Sequence, residues 1–175
     1  MTQKEFIEIL DEKGYSYQIK EDRIIVTHEG DVDLQTLDTI PSDLEFENGG
    51  DVDLRAITSI SSGVVFRNVG SVFLGALTSL PSGVEFENAE DVSLHKCTSL
   101  PPVMEFKNEG LVVLTSITSI SPGVNFKNGG NVFLGMVKIG RSLIGGFFSD
   151  WKGNIKGIDS NRLLNVMIKQ EVFER

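Results

Sequence analysis

The sequence predicts a mainly β fold: a single-domain β-solenoid of about five to six 20-residue turns, with an N-terminal helix-hairpin cap and a C-terminal helical cap. Five ungapped units begin at residues 30, 50, 70, 90 and 110, and a partial sixth begins at 130. Their consensus is G-x-V-x-L-x-x-[LI]-T-S-[IL]-x-x-G-V-x-F-x-N-x, in which V-x-L and V-x-F alternate with the period of a strand. Turn-forming Gly, Pro and Ser positions separate these pairs, so each unit predicts one coil of a stack.

Residues 1–29 predict the N-terminal cap. Thr2 and Glu5 have the spacing of a capping box, and the apolar stripe that follows them predicts a helix over residues 2–13. Residues 15–27 alternate in polarity around a central acidic pair, which predicts a hairpin leading into the first turn. Because the end of a solenoid exposes the edge of its core, a capping segment of this kind is expected.

Residues 30–140 predict the solenoid, because one turn cannot bury its apolar residues whereas stacked turns share a core. Four positions per turn point inward: a Val, a Leu, a Phe and a mostly aliphatic position that includes Cys97. These ranks are Val32, Val52, Val72, Val92, Val112, Val132; Leu34, Leu54, Leu74, Leu94, Leu114, Leu134; Phe46, Phe66, Phe86, Phe106, Phe126; and Leu37, Ile57, Leu77, Cys97, Ile117, Val137. Cys97 is interpreted as a buried structural thiol, since no activating base accompanies it.

Two polar columns recur along the units and are interpreted as scaffold rather than site. The asparagine column predicts a ladder of amides that hydrogen bond to the turn backbone and to each other. The threonine column predicts hydroxyls that stabilise the turns. The columns are Asn48, Asn68, Asn88, Asn108, Asn128 and Thr58, Thr78, Thr98, Thr118.

Residues 141–175 predict the C-terminal cap, which forms one folding unit with the other two regions. Asp159 or Ser160 can begin a helix that runs to about Gln170. An aromatic segment precedes this helix and is expected to fold back over apolar side chains of the solenoid. Its aromatic residues are Phe147, Phe148 and Trp151.

The motif L-T-S-L-P-x-G-V-x-F-x-N, with its asparagine column and 20-residue period, resembles short bacterial leucine-rich repeats over about 110 of the 175 residues. The usual order L-x-x-L-x-L-x-x-N is not kept, because here the asparagine follows a phenylalanine by two positions and a second strand follows. That departure favours a closed β-solenoid over an open horseshoe. The resemblance implies protein recognition and carries over no site residues.

The chain has 25 acidic and 16 basic residues and a formal net charge of −9, which excludes a general nucleic-acid or anionic-membrane binder. Its single cysteine excludes an internal disulfide. The N-terminus lacks a basic region followed by an apolar one, and the sequence has no apolar run of about 18 residues, so we expect a cytoplasmic protein without a membrane span.

The outward positions around the V-x-L strand change character along the solenoid, and they are the candidate site. The first two turns carry carboxylates and the later turns carry apolar side chains, a pattern that predicts a partner surface or an intramolecular contact. The partner-binding candidates are Asp31, Asp33, Asp51, Asp53, Glu45, Glu47, Phe73, Val113 and Phe133.

The acidic cluster has three interpretations: a solvated face, a surface for a basic protein partner, and a Ca²⁺ site. The cation would bind the four aspartates of the first two turns, although no calcium-loop signature supports it. Those aspartates are Asp31, Asp33, Asp51 and Asp53.

We therefore expect a non-enzymatic protein-binding module that uses a lateral solenoid face, with no cofactor, no direct nucleic-acid contact and self-association as another use of the apolar half. The alternative is an acidic inhibitor that mimics nucleic-acid charge on a basic protein surface. A second, weaker alternative is a carbohydrate-active or other enzyme on a β-helix, for which no catalytic residues are identified. His28 and His95 lie in distant turns, and no Cys/His spacing fits zinc.

Overall fold

The computed structural model describes residues 1–118, 120, 123–134 and 155–156, the last two as a strand. Over these residues it confirms a mainly β solenoid of about five turns that begins with a helix. The predicted C-terminal helix and the aromatic segment before it lie outside the described residues, as does the end of the predicted solenoid.

The N-terminal helix, α1, spans Gln3–Lys13 and begins with the predicted capping box. The Thr2 hydroxyl accepts a hydrogen bond from the Glu5 backbone N–H, and the Glu5 carboxylate accepts one from the Thr2 N–H at 2.7 Å. Gly14 follows the helix with a φ of 71°, the left-handed conformation that glycine adopts easily. The helix packs on the first turn through its buried residues, Phe6 and Leu10.

The predicted hairpin follows, formed by β1 (Tyr17–Lys20) and β2 (Arg23–Val26). Its two turn residues, Glu21 and Asp22, have φ values of 49° and 63°, as a type I′ hairpin turn requires. Strand β2 pairs in parallel with the first Phe-containing strand of the solenoid, so the hairpin extends one of the two solenoid sheets.

Each solenoid turn contributes one strand to each of two seven-stranded sheets. The sheet that we call the Val sheet is parallel throughout and runs in the order β3-β5-β7-β9-β11-β13-β14. Its strands are β3 (Val32–Asp33), β5 (Val52–Asp53), β7 (Val72–Phe73), β9 (Val92–Ser93), β11 (Val112–Leu114), β13 (Val132–Leu134) and β14 (Ile155–Lys156).

The other sheet, which we call the Phe sheet, has the order β1-β2-β4-β6-β8-β10-β12 and is parallel from β2 onward. Its solenoid strands are β4 (Leu44–Phe46), β6 (Val65–Phe66), β8 (Glu85–Phe86), β10 (Glu105–Phe106) and β12 (Asn125–Phe126). A third side carries isolated parallel bridges, Thr39 to Ser59 and Ser79 to Ser99. Each of the first four turns is therefore a coil with two short strands and one bridged bend.

The core lies between the sheets and consists of the predicted inward ranks. The Val, Leu and Phe ranks are buried wherever the structure describes them. Successive Phe rings stack with centroids 5.2–5.5 Å apart and planes within 9° of parallel. In the fourth rank Leu37 is only partly buried, while Ile57, Leu77, Cys97 and Ile117 are buried. Val137 lies outside the described residues.

Two further buried ranks were not predicted. One rank follows the T-S positions of the consensus. The other is the first position of V-x-F, where an apolar residue in every unit alternates with the inward Phe. These ranks are Ile40, Ile60, Leu80, Leu100, Ile120 and Leu44, Val64, Val84, Met104, Val124. They complete the core at the bends, and the signal for them was the invariant apolar character of the two positions.

The asparagine ladder is confirmed in its bonds to the turn backbone. Asn68 Nδ2, for example, donates to the carbonyls of Gly50, Gly70 and Ser71 at 2.9–3.3 Å. The predicted bonds between successive asparagines are wrong, because the amide N–H groups all face carbonyls and the Oδ1 atoms of the column have no hydrogen-bond partner among the described residues.

The threonine column also stabilises the turns as predicted. The hydroxyls of Thr58, Thr98 and Thr118 lie 3.3–3.5 Å from the carbonyl one turn earlier. Within the described residues, no helix has the length and apolar character needed to cross a membrane.

Candidate functional site

The outward rank of the Val sheet is a continuous column across six adjacent strands, and we call it the variable face. Its members are register partners in adjacent strands, so each lies beside the next. The variable face consists of Asp33, Asp53, Phe73, Ser93, Val113 and Phe133. The inward rank of the same strands is Val throughout, so residue type varies on one side of the sheet only.

The hairpin cap closes the first edge of this sheet. The Tyr15 hydroxyl accepts a hydrogen bond from the Asp33 backbone N–H at 2.9 Å and lies 3.4 Å from the Asp33 carbonyl. The Tyr15 ring in turn packs on His28, with centroids 4.9 Å apart. The backbone groups at the start of the variable face are thereby bonded within the chain, which hinders another strand from pairing there.

Asp33 and Asp53 form the acidic end of the variable face. Each carboxylate accepts hydrogen bonds from the residue two positions later in the chain. Asp33 accepts hydrogen bonds from the Gln35 backbone N–H at 3.1 Å and side-chain amide at 2.9 Å, and these bonds lower its pKa. Asp53 accepts from the Arg55 backbone N–H at 3.1 Å and from the Arg55 guanidinium. Both carboxylates thus have local partners, and the Asp53 side chain beneath Arg55 is only 14% exposed.

Arg55 joins the acidic and apolar parts of the variable face. Its guanidinium is paired with Asp53 and also lies 5.5 Å from the centre of the Phe73 ring, a cation–π distance. Phe73 is half-buried, as are Val113 and Phe133 farther along the column. The surface therefore passes from carboxylate through guanidinium to aromatic and aliphatic side chains.

Asp31 and Asp51, also candidate residues, bond to the backbone of the next turn. Asp31 Oδ1 accepts from the Asp51 N–H at 2.8 Å, and Asp51 Oδ1 accepts from the Ser71 N–H at 2.7 Å. Asp91 repeats this bond with the Leu111 N–H at 2.7 Å. These aspartates form a ladder that links turns, a role that the sequence analysis did not assign to them.

The glycine that opens most units leaves room for this ladder and for the backbone of the preceding turn. A Cβ at Gly50 would overlap Asp31 Oδ1 and come within 2.8 Å of the Asp31 backbone nitrogen. One unit departs from the pattern, because Glu90 replaces the glycine. The residue 19 positions earlier, which is an aspartate in the two preceding units, is there the shorter Ser71. The Ser71 hydroxyl contacts the Glu90 carboxylate at 3.2 Å, so the two changes are compatible.

Glu45 and Glu47 belong to the Phe sheet side and not to the cluster of aspartates. Glu45 is buried, and its carboxylate pairs with Arg67 and with Arg23 at 3.5 Å. Glu47 is exposed directly after β4. The run of acidic residues in the sequence is therefore divided between two sides of the coil.

The pairs of Glu45 begin a ladder of ions along the Phe sheet. Arg67 Nε contacts Glu87 at 2.9 Å, and Lys107 contacts the same carboxylate at 3.0 Å. Lys127 continues the ladder to Glu105 at 2.9 Å. The hydrogen bond from Lys107, followed by that from Arg67, lowers the pKa of Glu87.

The four aspartates proposed for Ca²⁺ have the partners described above, and they do not converge. Among the described residues, no group of three or more His, Cys, Asp or Glu side chains is placed to hold a metal ion. Cys97 is buried, its Sγ lies 3.1 Å from the Ser99 carbonyl, and burial raises the pKa of its thiol. That environment agrees with a structural thiol.

The far end of the variable face meets strand β14. Phe133 in β13 is the register partner of Lys156, so this part of the C-terminal region continues the Val sheet beside the column. The predicted cover of the apolar half by residues 147–151 lies outside the described residues.

Sequence reasoning also missed a groove of about 370 Å³ beside the Phe sheet, between the third and fourth turns. The segment Pro101–Met104 forms one of its walls. The available signal was the sequence P-P-V-M, which departs from the consensus where other units carry a glycine or Asp43.

Comparison of the chain with protein-family models, with curated proteins and with solved structures gives no match. The assignment as a 20-residue β-solenoid therefore rests on the periodicity of the sequence and on the two sheets described above.

Proposed function

We propose that the chain is a non-enzymatic protein-binding module whose binding surface is the variable face. One observation carries the proposal: the inward rank of the Val sheet is constant, whereas its outward rank changes from carboxylate to aromatic and aliphatic residues. A scaffold needs no such change, and a partner with a complementary basic and apolar surface would use it. The resemblance to leucine-rich repeats, which bind proteins, points the same way.

Phe73 is the residue on which we expect binding to depend most. It lies at the transition between the two halves, and Arg55 over its ring keeps a cation and an aromatic side chain together. Aromatic and arginine side chains are enriched among the residues that dominate interface energies. Asp33 and Asp53 would then orient a basic partner rather than provide most of the affinity.

The test compares proteins captured from native lysate by the full chain and by its variants. Phe73→Ser and Val113→Ser should each reduce capture of a specific protein by about fivefold or more, which corresponds to a loss of roughly 1 kcal/mol or more in binding free energy. Ser93 occupies the same column, so serine suits the fold there. Asn125→Ser, an outward position of the Phe sheet, is the control. Equal capture by wild type and both column variants would refute the proposal.

A salt series separates this proposal from the alternative of an acidic inhibitor that mimics nucleic-acid charge. A partner held by charge should lose affinity steeply with salt and lose it with Asp33→Asn and Asp53→Asn, whereas an apolar contact should change little. These two aspartates are suitable because Asp31 and Asp51 also bond to the neighbouring turn.

A further inference from the structure

The groove beside the Phe sheet combines an open apolar wall with a rim of carboxylates. Its walls come from residues 82–87 and 101–105 together with Lys107, and its volume is about 370 Å³. Three of its lining residues, Val84, Phe86 and Met104, are buried and belong to the core. A volume of this size accommodates one or two side chains of a peptide.

Val103 forms the exposed tip of the apolar wall. With 79% of its surface accessible, it is the most exposed large apolar side chain among the described residues. Its φ is 62°, a left-handed conformation that is a genuine outlier for a β-branched residue. The corresponding positions in neighbouring turns, Gly83 and Gly123, have the same conformation without the strain. Neither packing nor backbone geometry accounts for a valine at this position.

The charges of the groove favour a cation in its occupant. Three carboxylates line it, those of Glu85, Glu87 and Glu105, against the single ammonium of Lys107. Glu87 and Glu105 already pair with cations at 2.9–3.0 Å. Glu85 has the most exposed side chain of the three, at 52%, and its ion pair to Arg67 is long, at 3.8 Å. A cation entering the groove therefore has Glu85 available to it.

We propose that this groove binds a short extended segment of a partner protein, in which an aliphatic side chain packs on Val103 and a neighbouring Lys or Arg pairs with Glu85. The apolar wall and the open carboxylate lie in one groove, and such a segment satisfies both. The groove belongs to the Phe sheet side, whereas the variable face belongs to the Val sheet. Either proposal can therefore fail without the other.

The test titrates the ¹⁵N-labelled full chain with three capped synthetic peptides, Gly-Lys-Leu-Lys-Gly, Gly-Lys-Ser-Lys-Gly and Gly-Glu-Leu-Glu-Gly, and follows amide chemical shifts. The first should shift amides of residues 82–87 and 101–107. The other two should bind at least about fivefold more weakly, because each lacks one of the two contacts. Equal binding of all three peptides, shifts mapped elsewhere, or no groove shift up to about 5 mM peptide would overturn the proposal.

Two variants and one control assign the contacts. Val103→Gly and Glu85→Gln should each weaken the first peptide by about fivefold, while the fold is verified from the remaining amide signals. Val69→Ala alters another exposed valine, outside the groove, and should leave the affinity unchanged. Unchanged affinity in both groove variants would overturn the proposal. Shifts of the groove amides that depend on protein concentration without peptide would instead identify a second copy as the occupant, which also overturns it.

Discussion

Val103 occupies a position of the repeat at which the other units carry Gly or Asp. Its position in the turn has a positive φ in every unit described, with Asp or Gly at the others. Left-handed backbone costs an L-residue roughly 1–2 kcal/mol. Pro102 precedes this valine and is itself exposed, so the local sequence fixes a strained apolar tip at the surface.

We predict that Val103→Gly raises the free energy of unfolding by up to about 1 kcal/mol, because relief of strain exceeds the roughly 0.5–1 kcal/mol that glycine loses in backbone entropy. Urea unfolding measures the change. The matched control is Gly83→Val, whose new Cβ has room, since the nearest atom lies 3.6 Å away. It should destabilise by a similar amount, and a destabilised Val103→Gly would contradict the prediction.

The asparagine ladder gives a second prediction at this scale. Asn88 is fully buried and donates from Nδ2 to the carbonyls of Gly70, Glu90 and Asp91 at 3.0–3.3 Å. Asn88→Asp replaces that donor with a buried anion facing three carbonyl oxygens, so it should destabilise by roughly 3 kcal/mol or more at neutral pH.

Asn88→Ala, which removes the donor without adding charge, should cost about 1–3 kcal/mol. Acidification should recover part of the loss in the aspartate variant, because its carboxyl becomes neutral and able to donate. An Asn88→Ala midpoint equal to that of the wild type would show that the turn does not require the amide donor, and equal midpoints for the two variants at every pH would show that the buried charge has no cost.

Residue-level sequence reasoning succeeded where one chain segment determines the outcome. The capping box of Thr2 and Glu5 and the inward Phe rank follow from spacing within a helix or strand. The bond from Asp31 to the Asp51 N–H could not be predicted, because it depends on how two turns 20 residues apart are offset. For the same reason Glu45 appeared in the sequence to lie with the aspartates.

At the scale of elements, the ion ladder of the Phe sheet links strands that the core already stacks. Arg67 bonds to Glu45 in the preceding turn and to Glu87 in the following one. Like charges opposite each other in adjacent strands destabilise a sheet, and the pairs that Arg67, Lys107 and Lys127 each form with a carboxylate of the preceding turn offset that repulsion. The ladder therefore favours one order of the turns.

We predict that the contribution of Glu87 to folding stability depends on pH. Its folded pKa is depressed below the ordinary value of 4.5 by Lys107 and Arg67, so its stabilisation is present above 4.5 and is lost as pH falls through the folded pKa. The melting temperature of Glu87→Gln should lie below that of the wild type at pH 7, and the gap should close in acid. Glu109→Gln, an exposed glutamate, is the control, and parallel curves would contradict the prediction.

At the scale of the whole molecule, the exact period makes turns removable as units. Each aspartate of the ladder is followed 19 residues later by a glycine, whereas Ser71, which stands in the same column, is followed by Glu90. Deletion of residues 71–90 removes that exceptional pair and keeps Gly70 beside Asp51. Deletion of residues 70–89 instead leaves Glu90 beside Asp51.

The two shortened chains differ by a single residue, and we predict that the first is the more stable. Glu90 beside Asp51 should cost about 1–3 kcal/mol through overlap and like charge. Thermal unfolding followed by circular dichroism measures the difference. Equal melting temperatures would show that the glycine position tolerates a side chain whatever precedes it.

The sequence was sufficient for the overall architecture because every turn repeats the same inward pattern. It was insufficient for the surface, since two outward positions close in the chain, Asp31 and Glu45, belong to different sides of the coil. The groove beside Val103 likewise forms only where two turns meet.

Turn-to-turn stacking has a mechanical consequence. Each turn contacts only its neighbours, so tension applied between the chain ends loads the terminal turn first, and that turn can peel away while the others remain wound. Each released unit of 20 residues extends to about 70 Å. Pulled at constant force, the solenoid would lengthen in near-equal increments, and the force at each increment would report the strength of one interface between turns.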